Sequence, residues 1–572
     1  MTVTTPKRGR LRFIARQVIV GSLISAVIVS TAPAADPPKP VFSPSNLLLS
    51  RSVYDNKASN IAVGTILPPN CANTSVGCPT RSAATYNGTY PFVWNNVLPD
   101  PSFGITSKIF LDQITPVGWL VNTLEVPNSS DTGSTSTSDQ MVTSFSSKSE
   151  AALNLSTDGK YVTFMGYVAP IDTIDVSNSN TPLTTPANLS MIDPTNPVGL
   201  EFFRAVAQVD QNGSFHFTET NAYSGNNGRA AILNATNNVY YTAGNAGNGS
   251  NPQPNGIIVG AGAQILTPSS SPESAQTPGT PTPVASFSVT ELGKKADKVG
   301  KDDNFRGLTI FNNVIYLTKG SGSNGVNTVY FVDTTGSACP NGVGVPSSFA
   351  TLPATGLSYV VANLQKNGLP NNMCILSGFP STPNSSATTV AAPFGLWFAD
   401  ANTLYVADEG DGYTGGPDLY THAAAQKTAG LQKWIFNSVT KTWSMAYTLQ
   451  TGLSLGFAQT VPAVPGFSYP SGKNPATGLP WAPATDGLRN ITGLLNHDSD
   501  GDDTVTVWGI TSTVSGNGDT GADPNRLVVI RDVLKNVDPT VASHESFETL
   551  RSAYTQEVFR GISFAPGPGV AQ

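Results

Sequence analysis

Apolar and polar residues alternate along this chain in short runs, and the runs are separated by turns rich in Gly, Asn, Asp and Ser. That is the pattern of half-buried β-strands joined by tight connections. The clearest case is residues 393–410, PFGLWFADANTLYVADEG, where runs at 395–398 and 403–407 flank the polar turn Ala399-Asp400-Ala401-Asn402. The phrase recurs at 150–167 (EAALNLSTDGKYVTFMGY), 229–244 (RAAILNATNNVYYTAG), 305–320 (FRGLTIFNNVIYLTKG) and, with a longer turn, 488–510. A half copy, FRGISFAP, stands at 559–566. After most hairpins a second pair of runs follows: 205–209 with 214–220, 431–436 with 442–449, and 526–531 with a weaker run at 547–554. In the third and fourth units only 284–290 and 328–332 stand out, and their partners are not evident.

Four strands per repeated unit is what a propeller blade requires. Ahead of the first full unit lie three candidates, 47–53, 108–113 and 119–124; the missing innermost strand is 559–564, supplied by the C-terminal end. Closing the ring with a composite blade leaves no open sheet edge. The expectation is an all-β chain forming a single β-propeller of six four-stranded blades, or seven if 252–283 or 340–392 conceals another sheet. The propeller spans 46–566, after an extension at 36–45 and before a tail at 567–572. Polar insertions at 68–95, 127–147, 252–283, 340–392 and 462–486 read as loops, because the repeat resumes in phase after each.

Composition changes the picture in three ways. Charged residues are 12% of the chain, against about 25% in ordinary domains; turns and short strands, rather than long helices, use what replaces them. Lys7, Arg8, Arg10, Arg12 and Arg16 precede an apolar run at 17–30 and the small-residue site Ala32-Pro33-Ala34, so 1–35 reads as a cleaved signal peptide. The expected location is secreted, periplasmic or at the cell surface, with no transmembrane helix after signal removal. A net charge of −7 without any basic stripe excludes a nucleic-acid partner. The four cysteines suit an oxidising compartment. Of three pairings, the local one is Cys71 with Cys78 and Cys339 with Cys374.

The repeat phrases resemble a family of exported bacterial β-propeller proteins of no established biochemical function. The resemblance rests on Ile109-Phe110-Leu111-Asp112 with Thr115-Pro116-Val117-Gly118, Glu150-Ala151-Ala152-Leu153 with Asp158-Gly159-Lys160-Tyr161, and Ala222-Tyr223-Ser224-Gly225-Asn226-Asn227. Leu404-Tyr405-Val406-Ala407-Asp408, Leu431-Gln432-Lys433-Trp434 and Phe559-Arg560-Gly561 extend it across the domain. It implies a propeller and an exported location, and brings no catalytic residues. The long insertions and the acidic turn after Leu495 depart from the family pattern.

Position within a blade supplies the candidate chemistry. The innermost strand starts beside the central channel and the second strand returns to the same face, so residues flanking each hairpin converge there. Those before it are Glu150, Arg229, Arg306, Arg489 and Arg560, with Asp302 and Asp303 close by; those after it include Asn245, Lys319, Asp408, Glu409 and Asp411. Guanidinium groups in register around a channel mouth can hold a carboxylate, phosphate or acidic sugar. They can equally be struts that bind carbonyls of neighbouring blades. The sequence therefore points to a monomeric binding or surface-interaction module for an acidic saccharide or a protein partner. The alternative is a carbohydrate-active lyase, hydrolase or esterase using an arginine and carboxylate cluster. His216, His422, His497 and His544 share no register with it. A second candidate is the turn containing Asn496, Asp498, Asp500, Gly501, Asp502 and Asp503, whose alternating oxygen ligands match the first half of a calcium loop. Val507 stands where the closing acidic ligand belongs, so a solvated turn is the other reading. Any Ca2+ there is structural, on the face opposite the arginines.

Overall fold

Leu47–Val53, four apolar residues around Ser50-Arg51-Ser52, form β1, which pairs with the next strand in sequence on one side and with the last described strand on the other. The structure, a computed structural model, describes residues 41–67, 85–93, 104–131, 139–182, 200–220, 222–245, 262–269, 284–286, 304–321, 325–357, 372–387, 391–499, 501–518 and 520–568. In the first blade β1 is followed by β2 (Thr106–Ile114) and β3 (Leu120–Glu125), with β4 (Thr143–Ser144) pairing on β2. The second blade is β5 (Asn154–Leu155), β6 (Tyr161–Tyr167), β7 (Arg204–Asp210) and β8 (Phe215–Thr220). The third is β9 (Gly228–Asn234), β10 (Val239–Gly244), β11 (Ala263–Leu266) and β12 (Val284–Ser286). The fourth holds β13 (Phe305–Phe311), β14 (Val314–Lys319), β15 (Thr328–Val332), β16 (Val343–Gly344) and β17 (Met373–Leu376). The fifth is β18 (Pro393–Asp400), β19 (Thr403–Asp408), β20 (Gly430–Asn437) and β21 (Thr442–Leu449). The sixth is β22 (Ala484–Asn496), β23 (Thr504–Val514), β24 (Arg526–Val533) and β25 (Glu548–Ser552). Last in the chain, β26 (Glu557–Phe564) lies innermost in the first blade, antiparallel to β1 with Leu47 opposite Phe564.

Six blades in a ring, antiparallel apart from the short β16–β17 pair, make this an all-β propeller closed by one composite blade. The described helices are short, at Leu419–Ala425 and Pro539–Ala542, and no helix among the described residues is long and apolar enough to cross a membrane.

The hidden partners of the third and fourth blades are short strands inside two segments that sequence alone assigns to loops. β11 lies in 252–283 and β17 in 340–392, and each completes an existing blade rather than building a seventh. β4 likewise falls within the loop expected at 127–147. The Cys339–Cys374 disulfide pins the start of the fourth insertion to β17. Cys71 and Cys78 lie outside the described residues.

Burial follows radius. β9, β10 and β14 are buried along their whole length, whereas the outermost β3 and β25 present no fully buried residue. Cores form where the faces of neighbouring blades meet. Tyr405, Leu431 and Tyr447 of the fifth blade pack on Leu488, Val505 and Val528 of the sixth. Each such side chain removed from water contributes roughly 1.5–3 kcal/mol. At the ring's centre the inner strands approach so closely that a Cβ on Gly307 would overlap the Phe394 carbonyl, and one on Gly561 the backbone of Ala151 and Leu153. This contact explains why glycine follows the arginine in two of the repeat phrases.

Candidate functional site

The register just before each inner hairpin has one position that the sequence reading passed over. Going round the ring it reads Glu150, Arg229, Arg306, Phe394, Arg489 and Arg560. In the fifth blade Phe394 occupies the arginine's place, before Gly395 as Arg306 precedes Gly307, and Arg306 sits 5.6 Å over its ring.

The arginines divide into two groups by what they touch. Arg560 is a strut: its Nε donates to Ser52 Oγ at 2.9 Å, Nη2 to the carbonyls of Ser144 and Phe145, and Nη1 to that of Gly521. Arg229 reaches the next blade, donating to Asn304 Oδ1 and, at 2.8 Å, to the Phe305 carbonyl. Burial, and then the charge of Arg306, push its pKa down. Arg204, which no repeat phrase marks, is a further buried strut on the carbonyls of Ser177, Ser179, Phe202 and Asn226.

Arg306 and Arg489 belong to a central cluster instead. Arg306 Nη1 donates to Ser149 Oγ at 3.1 Å and Nη2 to Ser321 Oγ. Arg489 Nε meets Glu409 Oε2 at 3.3 Å, and Lys148 Nζ meets Glu409 Oε1 at 3.2 Å. Lys148 stands before the second blade and Glu409 after the second strand of the fifth, so their pair spans the ring. Lys148 was not legible in the sequence, since no other blade has a cation at that offset.

Electrostatics mark Glu409 as the hub. Burial alone would raise its pKa, but Lys148, Arg306 and Arg489 hold it at about 2. Lys148 is pushed down by burial, against the pull of Glu409. Glu150, 1% exposed, accepts from Thr143 Oγ1 at 2.6 Å, the Ser144 amide at 2.9 Å, Tyr167 and Asn227. Four cationic side chains, Lys148, Arg229, Arg306 and Arg489, thus face two carboxylates, Glu150 and Glu409. Glu409 and the arginines are buried, whereas Lys148 keeps 32% of its side chain accessible.

The remaining candidates have other tasks. Asp408 accepts from the amides of Ala392 and Gly410, both at 3.0 Å, and burial pushes its pKa up to about 7. Asp486, absent from the sequence reading, holds the Gly412 amide at 2.9 Å and is likewise raised by burial to about 7. Each is 1% exposed and committed to the loop 408–412; neither is placed for acid–base work on a bound molecule. Asp411 does not join the mouth. It is exposed and pairs with His422 Nε2 at 2.7 Å. Asp303 lies outside the described residues.

In the acidic turn, His497 Nδ1 meets Asp503 at 3.0 Å and Lys535 pairs with Asp502. Asn496 Nδ2 donates to Thr506 Oγ1 at 3.0 Å, and the Asp498 amide donates to Asp503. Asp500 lies outside the described residues.

No family model and no curated protein matches the chain. Among solved structures it is similar to a protein from Lactobacillus plantarum, at 10% identity and TM-score 0.29, over 91% of this chain and 99% of that one. It is also similar to a polysaccharide lyase of family PL25, an ulvan lyase, at 9% identity and TM-score 0.28, over 88% and 96%. The N-terminal domain of Nup159 matches at 9% identity and TM-score 0.24, over 72% and 89%. Likenesses this low bear on neither site nor function.

Proposed function

We propose that the protein is an exported binding module that holds an acidic saccharide at the arginine face of its channel. One observation carries this: four cations gather around two carboxylates at the mouth, and the most accessible of them, Lys148, is already engaged with a carboxylate, Glu409. A uronate or sulfate offers the same oxygens to the same donors and would offset the excess positive charge. The Cys339–Cys374 bridge supports the export part of the reading, since disulfides persist in oxidising compartments. Calcium in the turn 496–503 is carried with it as a structural proposal. A Tm rise with calcium that Asp498→Asn abolishes would support that part; an unchanged Tm would assign the turn to its pairs with His497 and Lys535.

The test is binding of acidic and neutral oligosaccharides to the protein and to Lys148→Gln, a change at a partly accessible side chain. Acidic glycans are expected to bind selectively, more weakly as salt rises, and about tenfold more weakly to the variant. Equal binding of neutral glycans, or an unaffected variant, would remove the reading.

A further inference from the structure

Beyond the charged layer the central channel changes character. It widens into a cavity of about 580 Å³ whose walls come from the inner strands of all six blades. None of its lining residues carries a charge; Leu155, Ile310, Trp397, Leu494 and Phe564 are among the apolar majority, and Asn154, Thr309, Thr492 and Ser563 among the polar minority. Its floor contains Ala230, Gly307 and Asn490, the residues next to Arg229, Arg306 and Arg489, so the ionic cluster closes that end.

Inner strands of a propeller turn a peptide edge toward the axis, which ordinarily calls for water. Here side chains of neighbouring blades take up several of those carbonyls. The carbonyls taken up are at the charged end, just outside the cavity: Asn490 Nδ2 holds Arg560 O at 2.6 Å, Thr318 Oγ1 holds Phe394 O at 2.5 Å, and Ser50 Oγ holds Ala151 O at 2.7 Å. A charged guest would find no counter-charge in the walls and would be left unpaired there. The apolar majority of the lining suits hydrocarbon, and the volume lies within the ~300–1,000 Å³ of small-molecule sites.

The opposite end opens on the face where strand directions place the turns from first to second and third to fourth strands. That face carries the acidic turn 496–503 and also several exposed apolar side chains. Pro116 lines the opening, and the same turn carries Val117 and Trp119, 67% and 74% exposed. Leu494, on the cavity wall, is 44% exposed. Val439 and Val537 are exposed on turns of the same face.

We propose that this cavity takes the alkyl chain of an amphiphile, which enters from the turn face and leaves its headgroup at the rim. The site is separate from the arginine face, so failure of the saccharide reading leaves it standing. The chain could come from a free fatty acid or from a lipid in a bilayer; the chemistry is shared.

The probe is cis-parinaric acid, a fluorescent fatty acid, titrated into the full chain. Saturable binding at one site per protein is expected, with energy transfer from tryptophan that weakens in Trp397→Phe while affinity is kept. Thr309→Trp, which fills the cavity, and Leu494→Asp, at the rim and harmless to the core, should each weaken binding at least about tenfold. Absence of saturable binding, or unchanged affinity in Leu494→Asp, would overturn the proposal. A parallel arm sediments the protein with phosphatidylcholine vesicles. Co-sedimentation lost in Trp119→Ser assigns the chain to bilayer lipid, and parinarate binding without co-sedimentation assigns it to the free amphiphile.

Discussion

Replacing Glu409 with Gln keeps the shape of the hub and removes its charge. The backbone there is held independently, by the Glu409 amide on Ala392 O at 2.9 Å and by Ser512 Oγ on Glu409 O, so the change isolates the carboxylate. Its pKa stands at about 2 against an ordinary 4.5. At roughly 1.4 kcal/mol per unit the depression corresponds to about 3 kcal/mol of stability at pH 7. Breaking one side of a buried ion pair independently suggests about 3–5 kcal/mol. Because the folded pKa is the lower one, the contribution is complete above the unfolded value and is lost as pH falls through about 2. Urea unfolding at a series of pH values measures it: Glu409→Gln should lose about 3 kcal/mol at neutral pH, and the deficit should shrink toward zero near pH 2. Adding Lys148→Met, which removes one stranded cation, should cost less than the separate effects combined. A variant within about 0.5 kcal/mol of the parent at pH 7, or a deficit unchanged by acid, would refute the hub.

Two more outcomes follow from buried groups elsewhere. Asp408 and Asp486, each raised to about 7, bind a proton more tightly folded than unfolded. Their protonation favours the fold most below the unfolded value, and this advantage drains away as pH rises through about 7. Thermal melts should therefore show Tm falling between pH 5 and 8, with a flatter slope in Asp408→Asn; a Tm that rises over that range contradicts it. Reduction of Cys339–Cys374, or the double serine variant, reopens a loop of 35 residues. The chain-entropy account gives about 3–4 kcal/mol for such a loop, read as a lower urea midpoint, and an unchanged midpoint would show that β17 holds without it.

Much of the ring was legible because its strands are periodic. Leu47–Val53 and Thr442–Leu449 fall where alternation places them, and the FRG phrase at the end of the chain announces a strand that needs a partner at the beginning. β11 and β17 were not legible, being only four residues each inside segments rich in Pro, Ser, Thr and Gly. Their identity comes from the edge they complete, not from local preference. The site divides in the same way. The arginines repeat, so their register could be read, and aligning PFG with FRG would also have found Phe394. Lys148 and Ser149 serve the cluster from positions without counterparts in other blades, whereas Asp486 stands three residues before Arg489, the offset of Asp303 from Arg306. Asp411 follows the right strand, but its loop turns outward and gives its carboxylate to His422.

The seam between β1 and β26 has a consequence for how the molecule is made. Residues about five hundred positions apart must meet before the first blade has its inner strand. β26 leaves the ribosome about five hundred residues after β1, and until then the nascent ring exposes the bare edge of β1. Loss of the final strand, by premature termination or a nick, would leave an edge able to recruit another chain. Emergence of β26 is thus the checkpoint for assembly, and copies that lack it are marked as defective by the edge they cannot cover.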